Sequence, residues 1–505
     1  MMSRLILFLM IFSTLCGCKK KNYFNSIAKK KLHPNIIVIV TDDDDFSGIG
    51  AYGSEVSTPN LDALAANGVR FANFYNNSRC SPSRASLLTG KYPQKVGVGD
   101  LCRPGYETNL PSYLGYLNPS FKIIPQYLKK SRYATFMSGK WHLGGRYENI
   151  KSNKKPYNKG FDGFFGVLGG SSDYFGKIEC QYQLNDDECF DSQNYKDFYS
   201  TDVFTDFAID FMDKTRKTDN PFFVYLPYTA PHHPIAAPEK LIKKYRKYYE
   251  KASFEDIVKN RVNKLKEDNL VDSDWNYEFE RQGVNLEVTK AKIEKFAIHA
   301  AMMEKVDENI GKITDHLKKT GELDNTIIIY LSDNGGDDSS LASIYKAPFK
   351  GVKTSLWEGG IKTHCIFHWP EKIDTTFNVQ ARCHIFDLLP TLLDIAKIDY
   401  NPIEFDGISL VNPLLNGIDS LDRDFLFWDL YGQQAVIYKD WKWVNTKHNK
   451  DFIFNLDKDG FETKNVLGEN RDILTMLKTK FKGHVKKNNI AEYKDYKKLV
   501  KKKKS

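Results

Sequence analysis

The sequence predicts an α/β protein with a large mixed, mostly parallel sheet flanked by helices, and a smaller α+β domain at the C-terminal end. Three observations lead to this fold class. Continuous apolar, β-branched runs are typical of strands buried on both faces of a parallel sheet. Amphipathic helical segments separate these runs along the chain. After about residue 405, short aromatic stretches divided by turn residues indicate a small antiparallel sheet.

Three apolar runs predict the buried strands. Residues 35–41 (NIIVIVT) and 326–332 (TIIIYLS) are each followed by aspartate, and residues 222–226 (FFVYL) are followed by polar residues. In open α/β sheets, ligands bind just outside the carboxyl ends of the strands. We therefore expect the chemistry of this protein at the residues that follow these three runs.

Helical periodicity predicts the elements that flank the sheet. In the longest segment, apolar side chains recur at helical spacing from Ile293 to Leu317, which indicates core packing rather than a cofactor site. The predicted helices span residues 59–69, 123–130, 201–214 and 293–319, with a further one over 471–481. The predicted aromatic strands of the C-terminal part span residues 425–428, 434–438 and 441–443.

The length and composition indicate a globular protein of more than one domain. The chain has 505 residues, of which 41% are hydrophobic and 27% are charged, and this composition excludes a largely disordered chain. We expect a large domain over residues 33–405 and a C-terminal subdomain with an antiparallel sheet over residues 406–485.

The N-terminus predicts an export signal. Arg4 precedes an apolar run over residues 5–15, which is shorter than the roughly 20 residues of a membrane-spanning helix. The run ends in LCGC, which resembles a bacterial lipobox, so we expect residues 1–18 to be a lipoprotein-type signal peptide with Cys18 as the lipid-anchored residue. A plain secretory signal is the alternative. On the first interpretation the protein is a periplasmic or cell-surface lipoprotein of a bacterium, attached to the membrane only through its lipid.

The net charge of +9 comes from the two ends of the chain. Residues 1–34 carry seven basic and no acidic residues, residues 482–505 have a net charge of +8, and the part between them has a net charge of −6. Because an acidic body offers no broad surface to a phosphate backbone, nucleic acid is not an expected partner. We expect both ends to be solvated, with residues 19–32 as a lysine-rich tether and residues 486–505 as a lysine-rich tail.

The cysteines outside the signal form no C-x-x-C pair of the kind that binds zinc or acts in redox chemistry. In an oxidising compartment, a disulfide between Cys180 and Cys189 is one option. The sequence leaves the pairing open.

Carboxylates that follow the first strand predict a cation site. Four consecutive aspartates at residues 42–45 repel one another, and Asp333 and Asn334 follow the other aspartate-ended strand, next to two glycines. Ca²⁺ takes six to eight oxygen ligands, and carboxylate and amide oxygens supply them. An acidic surface loop is the alternative for the aspartates alone, and the second strand end favours a single all-oxygen site.

A second group of residues, Cys80-Ser81-Pro82-Ser83-Arg84, stands at the start of a predicted helix. Free amides and the helix dipole favour an anion there, and Arg84 adds a fixed positive charge. Cys80 could therefore be a thiolate nucleophile, and an inert buried cysteine is the alternative.

The pattern C-x-P-x-R followed by LLTGKYP resembles the signature of type I sulfatases. The resemblance continues in TPNLD (58–62), GKWHLG (139–144), PHHP (231–234), SDNGG (332–336) and KTSLWEGG (353–360). It implies an alkaline-phosphatase-like fold, a catalytic domain over residues 33–405, and a sulfuric ester hydrolase similar to bacterial arylsulfatases and carbohydrate sulfatases. It also implies that a formylglycine-generating or maturase enzyme converts Cys80 to formylglycine, whose hydrated aldehyde is the nucleophile.

The resemblance also assigns roles to the site residues. One bound divalent cation, usually calcium, would be held by Asp42, Asp43, Asp333, Asn334 and residue 80 itself. Arg84 would stabilise the formylglycine diol, Lys140 and Lys353 would hold sulfate oxygens, and His142 and His232 would move protons. The H-x-P spacing favours His232 over His233. Asp44 and Asp45 stand where the family commonly has a glycine, so either could bind the metal or face solvent.

The implied substrate is a sulfated carbohydrate or an aryl sulfate. A phosphatase or phosphonate hydrolase of the same superfold is one alternative, but Cys80 in its motif disfavours it, since those enzymes usually use serine or threonine. A catalytically inactive carbohydrate-binding lipoprotein is the other. The complete set of charged site residues disfavours it.

Overall fold

The structure is a computed structural model that describes residues 33–144, 155–186, 188–278, 289–337 and 348–504. The expected signal peptide over residues 1–18, including Cys18, and the expected tether over residues 19–32 lie outside the described residues. Both remain predictions.

A mixed sheet forms the centre of the large domain. In chain order the strands are β1 (Asn35–Thr41), β2 (Val69–Phe71), β3 (Phe74–Tyr75), β4 (Ala134–Lys140), β5 (Gly163–Val167), β6 (Gln183–Leu184), β7 (Glu188–Cys189), β8 (Phe222–Pro227), β9 (Thr326–Ser332), β10 (Lys362–Thr363), β11 (Cys365–His368), β12 (Phe377–Val379), β13 (Cys383–His384), β14 (Phe425–Leu430), β15 (Gln433–Tyr438), β16 (Trp441–Asn445) and β17 (Asp451–Asn455). Within the described residues the sheet has 10 strands in the order β12-β2-β11-β9-β1-β8-β4-β5-β6-β7. The predicted α/β fold class is confirmed.

Helices cover both faces of this sheet. They are α1 (Pro59–Ala66), α2 (Cys80–Thr89), α3 (Ile124–Leu128), α4 (Ser200–Arg216), α5 (Glu239–Tyr249), α6 (Phe254–Glu267), α7 (Lys290–Thr320), α8 (Glu358–Ile361), α9 (Leu388–Ile395), α10 (Val411–Leu415), α11 (Arg471–Lys487) and α12 (Tyr493–Lys504). The apolar stripe of α7, which includes Met303 and Val306, packs in the core on one face, as predicted. In the part of the chain that the structure describes, every helix is too short or too polar to cross a bilayer.

The central strands meet in a register that brings polar residues together. β1 is parallel to β8 on one side and to β9 on the other, and all of its residues are buried. β1 and β9 pair without offset from Asn35 opposite Thr326 to Thr41 opposite Ser332. Because the two strands end at the same level, the residue after each of them, Asp42 and Asp333, emerges at the same edge of the sheet.

The C-terminal subdomain is a four-stranded antiparallel sheet, β14-β15-β16-β17. Its first turn, Tyr431-Gly432, has a positive φ at both residues (57° and 79°), which is the geometry of a tight hairpin. Gln433 Nε2 donates a hydrogen bond to the carbonyl of Thr354 over 2.8 Å, and Trp428 Nε1 donates one to the carbonyl of Asn76 over 2.7 Å. These bonds fix the subdomain on the large domain beside α2.

The lysine-rich end differs from the expected solvated tail over residues 486–505. Residues 493–504 form α12, whose Tyr496 and Val500 are buried against Tyr113. The rings of Tyr113 and Tyr496 stack with centroids 4.6 Å apart. Apolar residues spaced four apart face the body while the lysines face solvent. The net charge of the C-terminal residues, on which the predicted tail rested, does not reveal these spaced apolar residues.

A disulfide joins Cys180 and Cys189, which is the pairing that the sequence left open. It links the segment before β6 to β7, at the edge of the large sheet. The edge hairpin is therefore closed covalently.

Candidate active site

Four neighbouring strands, β9, β1, β8 and β4, deliver most of the predicted site residues from their carboxyl ends. Asp333 and Asn334 follow β9, Asp42 and Asp43 follow β1, His232 follows β8, and β4 ends at Lys140, two residues before His142. Cys80 and Arg84 come from α2, and Lys353 comes from the loop before α8. The structure brings all the predicted site residues together.

Two lysines neutralise the first pair of aspartates. The ammonium of Lys140 contacts Asp42, and Lys353 Nζ lies 2.6 Å from Asp43 Oδ2. Burial alone would raise the pKa of both carboxyls, but the neighbouring cations, Lys140 for Asp42 and Lys353 for Asp43, hold both pKa values below the usual range. Both aspartates are therefore ionised, buried and paired.

The Cys80 side chain points at this cluster. It is the first residue of α2 and is 1% exposed, and its Sγ lies 3.9 Å from Asp43 Oδ1. Burial and the negative charge of Asp42 raise the pKa of the thiol to about 12. Burial and the nearby carboxylates therefore outweigh the two lysines, which disfavours a thiolate at the unmodified cysteine.

Arg84 is completely buried behind Cys80. Its Nε and Nη2 atoms lie 2.9 and 2.8 Å from Asp333 Oδ2, and Nη1 donates to the carbonyl of Lys140 over 3.1 Å. Burial and the charge of Asp42 raise the pKa of Asp333 to about 7 even with this partner present. The positive charge of Arg84 therefore offsets the negative charge of the buried Asp333 carboxylate.

We expect Arg84→Ala to lower the free energy of unfolding by about 3–5 kcal/mol, because removing one partner of a buried ion pair leaves the other charge uncompensated. Chemical denaturation measures this loss. Lys318→Ala is the control: its ion pair with Asp315 at 3.8 Å is exposed on both sides, so the expected cost is at most about 1 kcal/mol. Equal losses for the two variants would contradict the prediction.

Both histidines lie near the aspartates. His232 Nε2 is 3.5 Å from Asp43 Oδ2, whereas His233 is exposed, so the H-x-P spacing selected the histidine that faces the cluster. His142 is buried, with a left-handed backbone (φ 55°), and its Nδ1 has no hydrogen-bond partner among the described residues. Burial lowers the pKa of both imidazoles.

The donor set fits a hard divalent cation. Ligand atoms of Asp42, Asp43, Cys80 and His232 all lie within 4.8 Å of one another. Asp42 Oδ1 and Asn334 Oδ1 are buried and have no hydrogen-bond partner within the described residues, although buried polar atoms are rarely left unsatisfied. A cation bound by carboxylate and amide oxygens would satisfy both atoms.

Asp44 and Asp45 do not join this cluster. Asp44 Oδ2 lies 3.7 Å from His364 Nε2, and its carboxylate occupies the space beside Gly48, where a Cβ would lie 1.9 Å from Oδ1. Burial raises the pKa of Asp44 well above its usual value and that of Asp45 to about 7. The geometry of the described residues favours Asp42 and Asp43 over Asp44 and Asp45 as metal ligands, and this choice stays a prediction.

Serines that the sequence did not single out hold these loops in place. Ser332 Oγ accepts a hydrogen bond from the Asp44 amide over 3.1 Å and donates to the Asn334 carbonyl over 2.9 Å. Ser81 Oγ donates to the carbonyl of His142 over 2.8 Å. Gly335 allows α8 to approach closely, since a Cβ at residue 335 would lie 1.9 Å from the carbonyl oxygen of Gly359 in that helix. Serines have no periodic signal, so only their place inside the motifs could have identified them.

Comparison with known proteins identifies the site. A family model described as Sulfatase matches residues 34–398. The chain belongs to the sulfatase family. Among its relatives is an uncharacterized sulfatase of Schizosaccharomyces pombe, 31% identical over 90% of this chain and 93% of the relative. An arylsulfatase of Klebsiella aerogenes is 28% identical over 74% of this chain and 89% of the relative. The protein is thus a sulfuric ester hydrolase.

Solved structures agree with this assignment. The crystal structure of Ps i-CgsB in complex with k-i-k-neocarrahexaose superposes on this sulfatase with a TM-score of 0.72 and 26% identity, covering 89% of this chain and 92% of the other. A phosphonate monoester hydrolase of Agrobacterium radiobacter, at 20% identity and a TM-score of 0.60, shares the fold. The fold alone therefore does not separate the two classes, whereas the family match does.

Proposed function

We propose that this sulfatase removes sulfate from a sulfated carbohydrate, with a formylglycine made from Cys80 and a bound Ca²⁺. The observation that carries the proposal is the position of Cys80, which is buried against Asp43 and surrounded by Arg84, Lys140 and Lys353. Relatives named N-acetylgalactosamine-6-sulfatase are 27% identical over 86% of this chain in Homo sapiens and over 82% in Rattus norvegicus and Mus musculus. An ulvan-active sulfatase of Formosa agariphila is 26% identical. These names support a carbohydrate substrate.

The state of the Cys80 thiol supports its modification. A thiol whose pKa is raised to about 12 is protonated at neutral pH and is a poor nucleophile. A formylglycine at this position would supply a hydrated aldehyde, whose two hydroxyls provide first an oxygen nucleophile and then a way to release the bound sulfate. The surroundings of residue 80 suit that group better than they suit a thiolate.

The cations around residue 80 stabilise negative charge. When a sulfate ester is cleaved, charge develops on the sulfate oxygens and on the departing oxygen. Lys140 and Lys353 are both buried and hold their ammonium groups at Asp42 and Asp43, where sulfate oxygens can reach them. Arg84 orients Asp333 from behind and adds a third positive charge.

The histidines can move protons on the two sides of the reacting group. His232 Nε2 faces Asp43 at the partly exposed side of the site and would donate a proton to the departing alcohol oxygen. His142 Nδ1, which has no partner among the described residues, would accept the proton of the hydroxyl that remains on residue 80. Proton donor and acceptor are therefore separate residues.

Asp42, Asp43, Asp333 and Asn334 would hold the Ca²⁺. The two lysines and Arg84 pair with the aspartates in the structure, and a bound Ca²⁺ would share these carboxylates with them. When bound, the ion would lower the pKa of an adjacent hydroxyl and neutralise charge.

The proposal is tested on the protein produced in its native host. We expect the tryptic peptide that contains residue 80 to have lost H₂S and gained one oxygen by mass spectrometry, and the protein to release sulfate from sulfated oligosaccharides. An unmodified thiol in protein that still turns over would contradict the formylglycine mechanism. Faster release of phosphate than of sulfate, from matched esters, would favour the phosphatase alternative.

A further inference from the structure

We propose that Arg79 binds a second anionic group of the substrate, a carboxylate or an additional sulfate, next to the sulfate that is removed. The inference rests on the proposed function and extends it, because it selects an anionic carbohydrate over a neutral one. Arg79 immediately precedes Cys80 and belongs to neither the metal cluster nor the cations that face it.

Arg79 differs from the other cations of the site in having no acidic partner. Arg84, Lys140 and Lys353 each contact an aspartate. Within the described residues, no carboxylate lies within 4.0 Å of the Arg79 guanidinium, and its buried Nε has no hydrogen-bond partner. A partly buried arginine that makes no direct ion pair leaves donors of its charged fork unused.

The guanidinium lies between the catalytic cluster and the C-terminal subdomain. It is close enough to Cys80 and Asp43 to interact electrostatically with both, and its Cζ lies 5.8 Å from the ring centroid of Tyr431. Tyr431 is in the hairpin turn between β14 and β15. A sugar whose sulfate enters the cluster would therefore place its remaining ring beside Arg79.

The backbone on both sides of Arg79 is fixed, so the side chain is positioned in advance. The carbonyl of Arg79 accepts the hydrogen bond of the Ser83 amide over 2.9 Å, which is the first turn of α2. On the other side, the Ser78 amide donates to Asn76 Oδ1 over 2.7 Å, and the Thr354 amide donates to the Ser78 carbonyl over 2.9 Å. Such preorganisation reduces the entropic cost of binding.

Aromatic and acidic residues complete this side of the site. Besides burial, the Asp100 carboxylate raises the pKa of Tyr431 and of Tyr496, in part through side-chain hydrogen bonds. Asp100 is thus engaged by tyrosine hydroxyls and acts on Arg79 electrostatically without a direct ion pair. An aromatic ring beside an unpaired cation suits a sugar that carries negative charge, because the ring packs on the sugar face and the guanidinium binds two anionic oxygens.

The test compares three disaccharides that carry the same cleavable sulfate: one otherwise neutral, one with a second sulfate and one with a uronate carboxylate. We expect the unchanged protein to prefer one or both anionic substrates. Arg79→Ala should lower the ratio of kcat/KM for the preferred anionic substrate to kcat/KM for the neutral one by about 10- to 100-fold, mainly through KM. Arg79→Lys should restore part of the ratio, because it keeps the charge but not the bidentate fork.

Lys318→Ala is the control, since it removes a positive charge from an exposed ion pair at the end of α7, and its ratio should equal that of the unchanged protein. An equal loss on all three substrates in Arg79→Ala would place Arg79 on the cleaved sulfate and overturn the inference. An unchanged ratio would overturn it as well. In both cases sulfate release by the unchanged protein would leave the proposed function standing, whereas no release from any of the three would refute both.

Discussion

Cys80→Ala should lose sulfate release by about 10⁴-fold or more while it folds normally. The expected loss is this large because the variant lacks the atom from which the proposed nucleophile is made. Folding should persist, since among the described residues the Cys80 sulfur makes a single weak hydrogen bond, to Asp43 at 3.9 Å. Ion chromatography of released sulfate measures the activity, and thermal unfolding measures the stability.

Cys383→Ala is the matched control for this experiment. Cys383 is also a free buried cysteine, but it lies in β13, and its Sγ contacts the carbonyl of Ala381. The control should retain the activity of the unchanged protein. Substantial sulfate release by Cys80→Ala would show that another residue is the nucleophile.

Removal of bound metal should abolish activity, and Ca²⁺ should restore it. In the structure, Lys140, Lys353 and Arg84 pair with the carboxylates of Asp42, Asp43 and Asp333, while Asp42 Oδ1 and Asn334 Oδ1 have no hydrogen-bond partner within the described residues. We expect dialysis against a chelator to lower both sulfate release and the melting temperature. Mg²⁺ should restore less than Ca²⁺, because it demands near-octahedral geometry with shorter bonds.

A pair of neighbouring variants tests which aspartates bind the ion. Asp42→Asn should raise the Ca²⁺ concentration needed for half-maximal activity at least about tenfold, since it removes a charged ligand. Asp44→Asn should leave that concentration unchanged, because Asp44 faces His364 rather than the cluster. Equal shifts in the two variants would contradict the assignment, and activity that survives complete chelation would contradict the metal site itself.

The sequence was sufficient to predict the elements on which the site depends. The apolar runs at residues 35–41 and 326–332 correspond to β1 and β9 residue for residue, because a strand buried on both faces leaves a continuous hydrophobic signal. The aspartates that follow them then meet through parallel pairing. The helix signals were also correct in type, but their ends shifted: α1 stops at Ala66 rather than residue 69, and α11 continues to Lys487 rather than residue 481.

Other features depend on contacts between distant segments and have no local signal. The protonation of Cys80 depends on Asp42 and on burial, neither of which the C-x-P-x-R motif reveals. The position of Arg79 depends on a tyrosine more than 350 residues away in the chain. Likewise, the lysine-rich end packs as a helix only because Tyr113 offers it a surface.

The residues proposed for catalysis and the tyrosine beside the proposed sugar site belong to different domains. The residues proposed to break the ester all come from the large domain, whereas Tyr431 reaches its rim from a short hairpin that Gln433 ties to Thr354. Exchange of that hairpin between homologous enzymes would alter which polymer is accepted and leave the hydrolytic apparatus intact. With this arrangement, natural variation or protein engineering of the hairpin would change the substrate specificity and leave the catalytic residues unchanged.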